Sequence, residues 1–197
     1  MQTIYIVISS VLALISPIVY ARAILRGEAK PHRTTRFVLL VITALSTASL
    51  LANNNTVAVW LAGVSTLQAI IIFALSIKHG MGGWAKLDIL CLIIAVVGII
   101  VWQTTNNPIL GLYFSILADF TGMIPAIIKT YRFPKTEIVT FFLLDTIAAV
   151  FTLFAIDQLI LENIAYPIYI FVINLIMCAL IVAPRMPNER MKNPVAL

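Results

Sequence analysis

Charged side chains are scarce in this sequence, and their scarcity argues against a soluble protein. Asp, Glu, Lys and Arg make up 11% of the 197 residues, whereas hydrophobic residues make up 61%. Soluble domains contain about 25% charged and about 45–50% apolar residues. Several apolar runs exceed the roughly 18 residues that indicate a membrane-spanning helix, and they extend from end to end of the chain. We therefore expect an integral membrane protein with no soluble domain.

Cysteine is also scarce, which excludes two further kinds of site. The two cysteines, Cys91 and Cys178, both lie inside apolar runs. Neither a disulfide framework nor a metal-binding spacing is present, so we expect no metal and no cofactor. The net charge of +5 would suggest nucleic acid on a soluble protein. Here membrane orientation explains the charge, and we expect no nucleic-acid partner.

Polar residues and prolines divide the chain into seven apolar segments. Each is close to the roughly 20 residues that cross a bilayer as a helix. The predicted spans cover residues 3–21, 36–53, 57–77, 87–104, 108–128, 137–156 and 165–184. The predicted fold class is therefore an all-α membrane protein with seven transmembrane helices.

Basic residues are missing from every second connection between these spans. All 13 lie around the first, third and fifth connections or in the tail, and none lies in ANNNT, QTTNNP or DQLILENIAYP. Because positive loops stay in the cytoplasm, we expect the N-terminus outside and the C-terminus in the cytoplasm. The plasma membrane of a prokaryote is the expected location.

An internal repeat groups the spans. Residues 16–41 (SPIVYARAILRGEAKPHRTTRFVLLV) and 124–145 (IPAIIKTYRFPKTEIVTFFLLD) each run from a proline late in a span, through a basic stretch, to a second proline and a new span. Both copies begin on the outer side, so the repeats are parallel. We expect two three-helix bundles joined by a linker helix (3+1+3). The corresponding divisions are 1–86 for the first bundle with its cytoplasmic loop, 87–104 for the linker, 105–184 for the second bundle and 185–197 for a cytoplasmic tail.

This 3+1+3 plan, with a proline near the cytoplasmic end of spans 1 and 5, resembles the SWEET, semi-SWEET and PQ-loop family of small transporters. The family's Pro-Gln pair stands here as Pro17-Ile18 and Pro125-Ala126. The resemblance implies a transporter fold that covers nearly the whole chain.

Two local similarities to this family suggest site residues. When LQAIIIFALSIK is laid over INLIMCALIVAPR, Gln68 and Asn174 take the positions of the family's paired asparagines, which implies substrate binding. The segment FFLLDTIAAV resembles the Leu-Leu-Asp region of lysosomal cystine carriers, which implies proton coupling at Asp145. Hydrogen bonding between helices is the alternative role for all three residues.

A second carboxyl, Asp119, lies near the middle of the fifth span. It shares a stripe of small and polar residues with Ser115, Gly122 and Ala126, at spacings of a helix face. A central aspartate facing lipid would cost about 2.5–3.5 kcal/mol. We therefore expect Asp119 to face the bundle or a wet path and to bind substrate or couple protons, with an interhelical hydrogen bond as the alternative.

Two prolines occupy matching places late in spans 1 and 5. Pro17 and Pro125 should each end or kink a helix. Because their places match in the two repeats, we interpret them as hinges of a cytoplasmic gate. A purely structural kink is the alternative.

These features predict a multi-pass transporter of a small polar solute, such as a sugar or an amino acid, that works by alternating access. Proton coupling would use Asp119 or Asp145; passive flux is the alternative. The expected partners are the small-molecule substrate and the lipid bilayer, and the chain could act as a monomer or as a homo-oligomer. A non-transporting seven-helix receptor or sorting protein is the second hypothesis. We do not expect an enzyme, because neither aspartate lies in the Gly-x-Gly-Asp pattern of intramembrane aspartyl proteases.

Overall fold

Seven α-helices account for most of the part of the chain that the structure describes. The computed structural model describes residues 2–29, 31, 33–80, 86–132, 134 and 137–183. The helices within these residues are α1 (Gln2–Leu25), α2 (Arg33–Ala52), α3 (Ala58–His79), α4 (Lys86–Thr105), α5 (Pro108–Arg132), α6 (Val139–Ala155) and α7 (Leu161–Val182). The predicted all-helical fold and the number of helices are confirmed. The predicted tail, residues 185–197, lies outside the described residues.

Four of these helices are long and apolar enough to cross a membrane: Gln2–Leu25, Ala58–His79, Pro108–Ile128 and Leu161–Val182. The other three contain shorter apolar helical stretches, at Arg36–Ala52, Ile89–Thr105 and Val139–Ala155. Large apolar side chains are exposed on every helix, as expected of a surface that meets lipid. The chain is accordingly a multi-pass membrane protein.

Helix α7 starts four residues earlier than the sequence pattern predicts. The predicted span begins at residue 165, whereas the helix begins at Leu161 and has Pro167 inside it. The carbonyl oxygen of Ile160 accepts hydrogen bonds from the amides of Asn163 and Ile164, which begins the helix at that point. Glu162 in the first turn also suits the positive end of the helix dipole.

Consecutive helices run in opposite directions. Between α1 and α6, Ser9 contacts Thr152 at 2.6 Å, and about two turns further along α1 Ser16 donates to the carbonyl oxygen of Phe141 at 3.2 Å. The same antiparallel order is found in three further pairs: α2 with α5, α2 with α3, and α4 with α5. Two buried clusters join the remaining helices, so α1, α3, α5 and α7 share one direction.

One end of the bundle, which we call the basic end, carries basic side chains. Helices α1, α3 and α5 finish there, and α2, α4 and α6 start there. Six described basic residues lie at or beside these helix ends: Arg22, Arg26, Arg33, Arg36, Lys78 and Lys86.

The helices before and after α4 pack in corresponding ways. Helix α3 packs against both α1 and α2, and α7 packs against both α5 and α6. Helix α1 packs against α6, and α2 packs against α5. Helix α4, which matches the predicted linker, packs against α5 and α2. The division into two bundles with a linker stays a prediction.

Candidate functional site

Two carboxyl groups, those of Asp119 on α5 and Asp145 on α6, lie against other helices. Asp145 is 9% exposed, and Asp119 is half-buried. Both positions follow from the helical pattern, because the residues on the lipid-facing sides of α5 and α6 are large and apolar. The expectation that both carboxylates point into the bundle agrees with this burial.

Asp145 lies among neutral partners from other helices. The Gln68 side-chain amide on α3 donates to Oδ2 of Asp145 at 3.2 Å. The Ser16 hydroxyl on α1 interacts with the same carboxyl, but its hydrogen bond goes to the Phe141 carbonyl. The other carboxylate oxygen, Oδ1, is buried without a hydrogen-bond partner among the described residues. Asp145 thus retains an unused acceptor.

Asp119 has a charged group and a hydroxyl nearby. The Tyr169 hydroxyl on α7 donates to Oδ2 of Asp119. Arg36, in the first turn of α2, interacts electrostatically with the same carboxyl. Its guanidinium also donates to the Tyr20 hydroxyl at 3.0 Å and lies 5.1 Å from the centre of the Tyr20 ring. Asp119 therefore has a cation in its surroundings, whereas the partners of Asp145 are neutral.

Tyr166 is a buried phenol on α7, in the same region as the two carboxyls. Its side chain is 3% exposed, and its hydroxyl has no hydrogen-bond partner among the described residues. It interacts electrostatically with Asp119 and Asp145 and is close to Ser65 on α3. The Ser65 hydroxyl donates to the carbonyl of Leu61 in its own helix at 2.9 Å. Tyr166 lies one turn from Tyr169, which donates to Asp119, and it shares a buried cluster with Ala148 and Ala149, one turn from Asp145.

The predicted substrate-binding residues are in different surroundings. Gln68 contacts Asp145 directly, so these two predictions meet in one place. Asn174 is buried on α7, and its amide donates to the carbonyl of Ile170 in its own helix at 2.8 Å. The role of these residues in binding a substrate stays a prediction.

The two predicted hinge prolines lie inside helices. Pro17 is buried within α1, which continues to Leu25, and Pro125 lies within α5, which continues to Arg132. Neither proline ends its helix. Each removes one backbone hydrogen bond from the helix interior, which is where helices bend most easily. Their function as hinges stays a prediction.

The sequence interpretation missed three residues of this region, namely Arg36, Tyr166 and Tyr169. Arg36 was assigned only to the charge pattern of a loop. The tyrosines lie three residues apart in an apolar helix, which places them on one face. A buried phenol hydroxyl normally needs a hydrogen-bond partner. Two tyrosines on one face of the last span therefore indicate polar partners on neighbouring helices.

Other hydroxyl groups join helices away from the carboxyls. Ser46 on α2 contacts Ser115 on α5 at 2.7 Å, and Thr47 contacts Thr66 on α3 at 2.8 Å. Such contacts stabilise helix pairs in membranes. The predicted stripe on α5 thus packs against α2 through Ser115, while Asp119 reaches α7.

Comparisons of the chain with models of protein families, with curated proteins and with solved structures found no match.

Proposed function

We propose that this protein is a carrier that moves a small polar solute across the membrane by alternating access, coupled to protons through Asp145 or Asp119. The observation that carries the proposal is the pair of inward carboxyls, on α5 and α6, each of which accepts a hydrogen bond from a side chain of another helix. Ionisable side chains inside membrane helices are costly and mark substrate or proton paths. The oxygen of Asp145 without a partner is available to a proton or a solute.

The helices form two related halves, α1–α3 and α5–α7, joined by α4, as in SWEET-like and PQ-loop carriers. Corresponding packing supports this division, since α1 on α6 and α2 on α5 are equivalent contacts when the halves are exchanged. A hydrogen bond of 3.3 Å links Asn55 to Asn163, which lie 108 residues apart. Pro17 and Pro125 have the same separation, as corresponding residues of a repeat would.

The basic end faces the cytoplasm, and the protein lies in the plasma membrane of a prokaryote. Support comes from the alternating helix directions, which bring six described basic residues to one end. The positive-inside rule then sets the orientation, with the start of α1 outside.

Each end of the bundle has a contact between the halves that must break when that end opens. At the basic end, the Tyr20 ring on α1 lies 4.8 Å from the Phe141 ring on α6. At the opposite end, the Nδ2 group of Asn55 donates to Oδ1 of Asn163. Bending at Pro17 and Pro125 allows the basic end to separate. The carboxyls lie between these two contacts and would meet water from each side in turn.

The test is uptake into liposomes with an imposed pH gradient, using solutes that raise the thermal midpoint of the purified protein. We expect wild type to accumulate such a solute and Asp145→Asn to lose gradient-driven accumulation while it still binds. Asp157→Asn is the matched control, because Asp157 is exposed in the connection between α6 and α7.

Gradient-driven uptake that survives in both Asp119→Asn and Asp145→Asn would contradict proton coupling. Solute binding without uptake in wild type would instead favour the receptor hypothesis.

A further inference from the structure

The Tyr166 hydroxyl and the Oδ1 atom of Asp145 are complementary groups that both lack a partner. One is a buried donor on α7, and the other is a buried acceptor on the adjacent α6. Each side chain is at least nine-tenths buried. Buried polar groups are costly unless they are hydrogen-bonded. The simplest way to satisfy both groups is a hydrogen bond between them in another state of the protein.

Packing limits how far the phenol can move. The Tyr166 ring lies in a buried cluster with Leu112 on α5 and with Ala148 and Ala149 on α6. Ala148 and Ala149 lie one turn from Asp145 on α6, and Tyr166 lies one turn from Tyr169, which donates to Asp119. A modest shift of α6 against α7 would therefore change which carboxyl the hydroxyl reaches.

We propose that Tyr166 is a positioning residue that couples the two carboxyls. Its hydroxyl donates a hydrogen bond to one carboxyl at a time, never to both. A phenol carries one donor hydrogen, so it cannot serve both carboxylates together. Donation to a carboxylate stabilises its ionised form. The ionisation of Asp145 thus depends on the state of Asp119. This inference rests on the proton-coupled carrier proposed above.

Four other ionisable side chains lie near Asp119, Asp145 or Tyr169. Tyr169 on α7 and Arg36 on α2 act on Asp119. Cys178 on α7 lies near Asp145, and Cys91 on α4 lies near Tyr169. Among the ionisable residues described, Tyr166 is therefore the natural connection between the two carboxyls.

Infrared titration of the purified protein tests the coupling without any solute. The carbonyl band of protonated Asp145, identified by its loss in Asp145→Asn, reports the pH at which that carboxyl ionises. We expect Asp119→Asn to move this midpoint by about one pH unit in the wild-type background, as for interacting sites. In a Tyr166→Phe background, Asp119→Asn should move it by less than a third of that. Tyr113→Phe, on α5, is the matched control and should preserve the coupling.

An equal midpoint shift in the Tyr166→Phe background would overturn the proposal, and so would the absence of any shift in the wild-type background. A second measurement keeps the proposal testable if Tyr166→Phe does not fold. With labelled tyrosine, the phenol C–O band of one tyrosine should change over the same pH range as the Asp145 band. That change should vanish in Asp145→Asn, and its persistence there would overturn the proposal. Neither titration involves transport. Failed uptake would therefore contradict the proposed carrier function, while the infrared results would still decide the role of Tyr166.

Discussion

At the scale of single residues, Asp119 and Asp145 are the same side chain in two different settings. Asp119 accepts a hydrogen bond from Tyr169 and has the positive charge of Arg36 in its surroundings. Asp145 is bound by Gln68 and keeps one oxygen without a partner. The hydrogen bond from Tyr169 joins Asp119 on α5 to α7. Asp145 is the better candidate for exchanging a proton.

Arg36 provides a prediction at this scale, because it contacts Tyr20 by both a hydrogen bond and its ring face. Arg36→Gln should lower the free energy of unfolding by about 1–2 kcal/mol, since both interactions with Tyr20 are weakened. Thermal unfolding in detergent measures the change. Arg26→Gln is the control, because Arg26 is exposed at the same end of the bundle and should cost close to nothing. Equal losses in the two variants would show that general charge, rather than the Tyr20 contact, matters.

The sequence was sufficient to predict that both aspartates face the interior, because lipid exposure is costly and the other helix faces are apolar. It was not sufficient to predict their partners. Tyr169 lies 50 residues from Asp119, and Gln68 lies 77 residues from Asp145. Such pairs depend on which helices become neighbours, and nothing local in the sequence encodes that choice.

At the scale of elements, the end of α3 is held by a residue from α2. The Arg33 guanidinium donates to the carbonyl oxygens of Ser76 at 3.2 Å and Gly80 at 3.3 Å. These carbonyls lie at the negative end of the helix dipole, where a cation is favourable. The sequence pattern assigned Arg33 only to membrane orientation, so its role as a cap became visible only in the fold.

Gly80 provides the prediction for this element. A Cβ atom there would overlap the carbonyl oxygen of Ser76 and lie 2.7 Å from that of Pro31. Because both neighbours are backbone atoms, Gly80→Ala should lower the free energy of unfolding by about 1–3 kcal/mol. Gly63→Ala, inside α3, is the matched control, since nothing lies within 4 Å of the added Cβ. We expect Gly63→Ala to be neutral or stabilising, and a similar loss in both variants, measured by thermal unfolding, would contradict this account of Gly80.

Helix positions were predicted well because long apolar runs and polar connections are local signals. The boundary of α7 was wrong by four residues because a proline inside a helix and a proline at its start look alike in sequence. The hydrogen bonds from Asn163 and Ile164 to Ile160, which decide the start, leave no such mark.

At the scale of the whole molecule, the proposed mechanism depends on two halves that move relative to each other around the carboxyls. The corresponding packing of α3 and α7 and the Asn55–Asn163 contact support this arrangement. The sequence suggested the repeat through its prolines and basic stretches. It did not indicate that α1 would pack on α6 and α2 on α5, because packing partners are set by the fold as a whole.

The central claim is that water reaches the carboxyls from each side of the membrane in turn. Gln68, at the centre of the 22-residue α3 and in contact with Asp145, is a suitable reporter position. The measurement is the labelling of Gln68→Cys, in a background with Cys91→Ala and Cys178→Ala, by a membrane-impermeant thiol reagent in oriented proteoliposomes. Leu67→Cys in the same background is the matched control, because Leu67 is 44% exposed on the adjacent face of the helix, where lipid is expected.

We expect Gln68→Cys to react with reagent added on either side and Leu67→Cys to react with neither. Lack of reaction at position 68 from both sides, in protein that reacts fully once unfolded, would contradict the account.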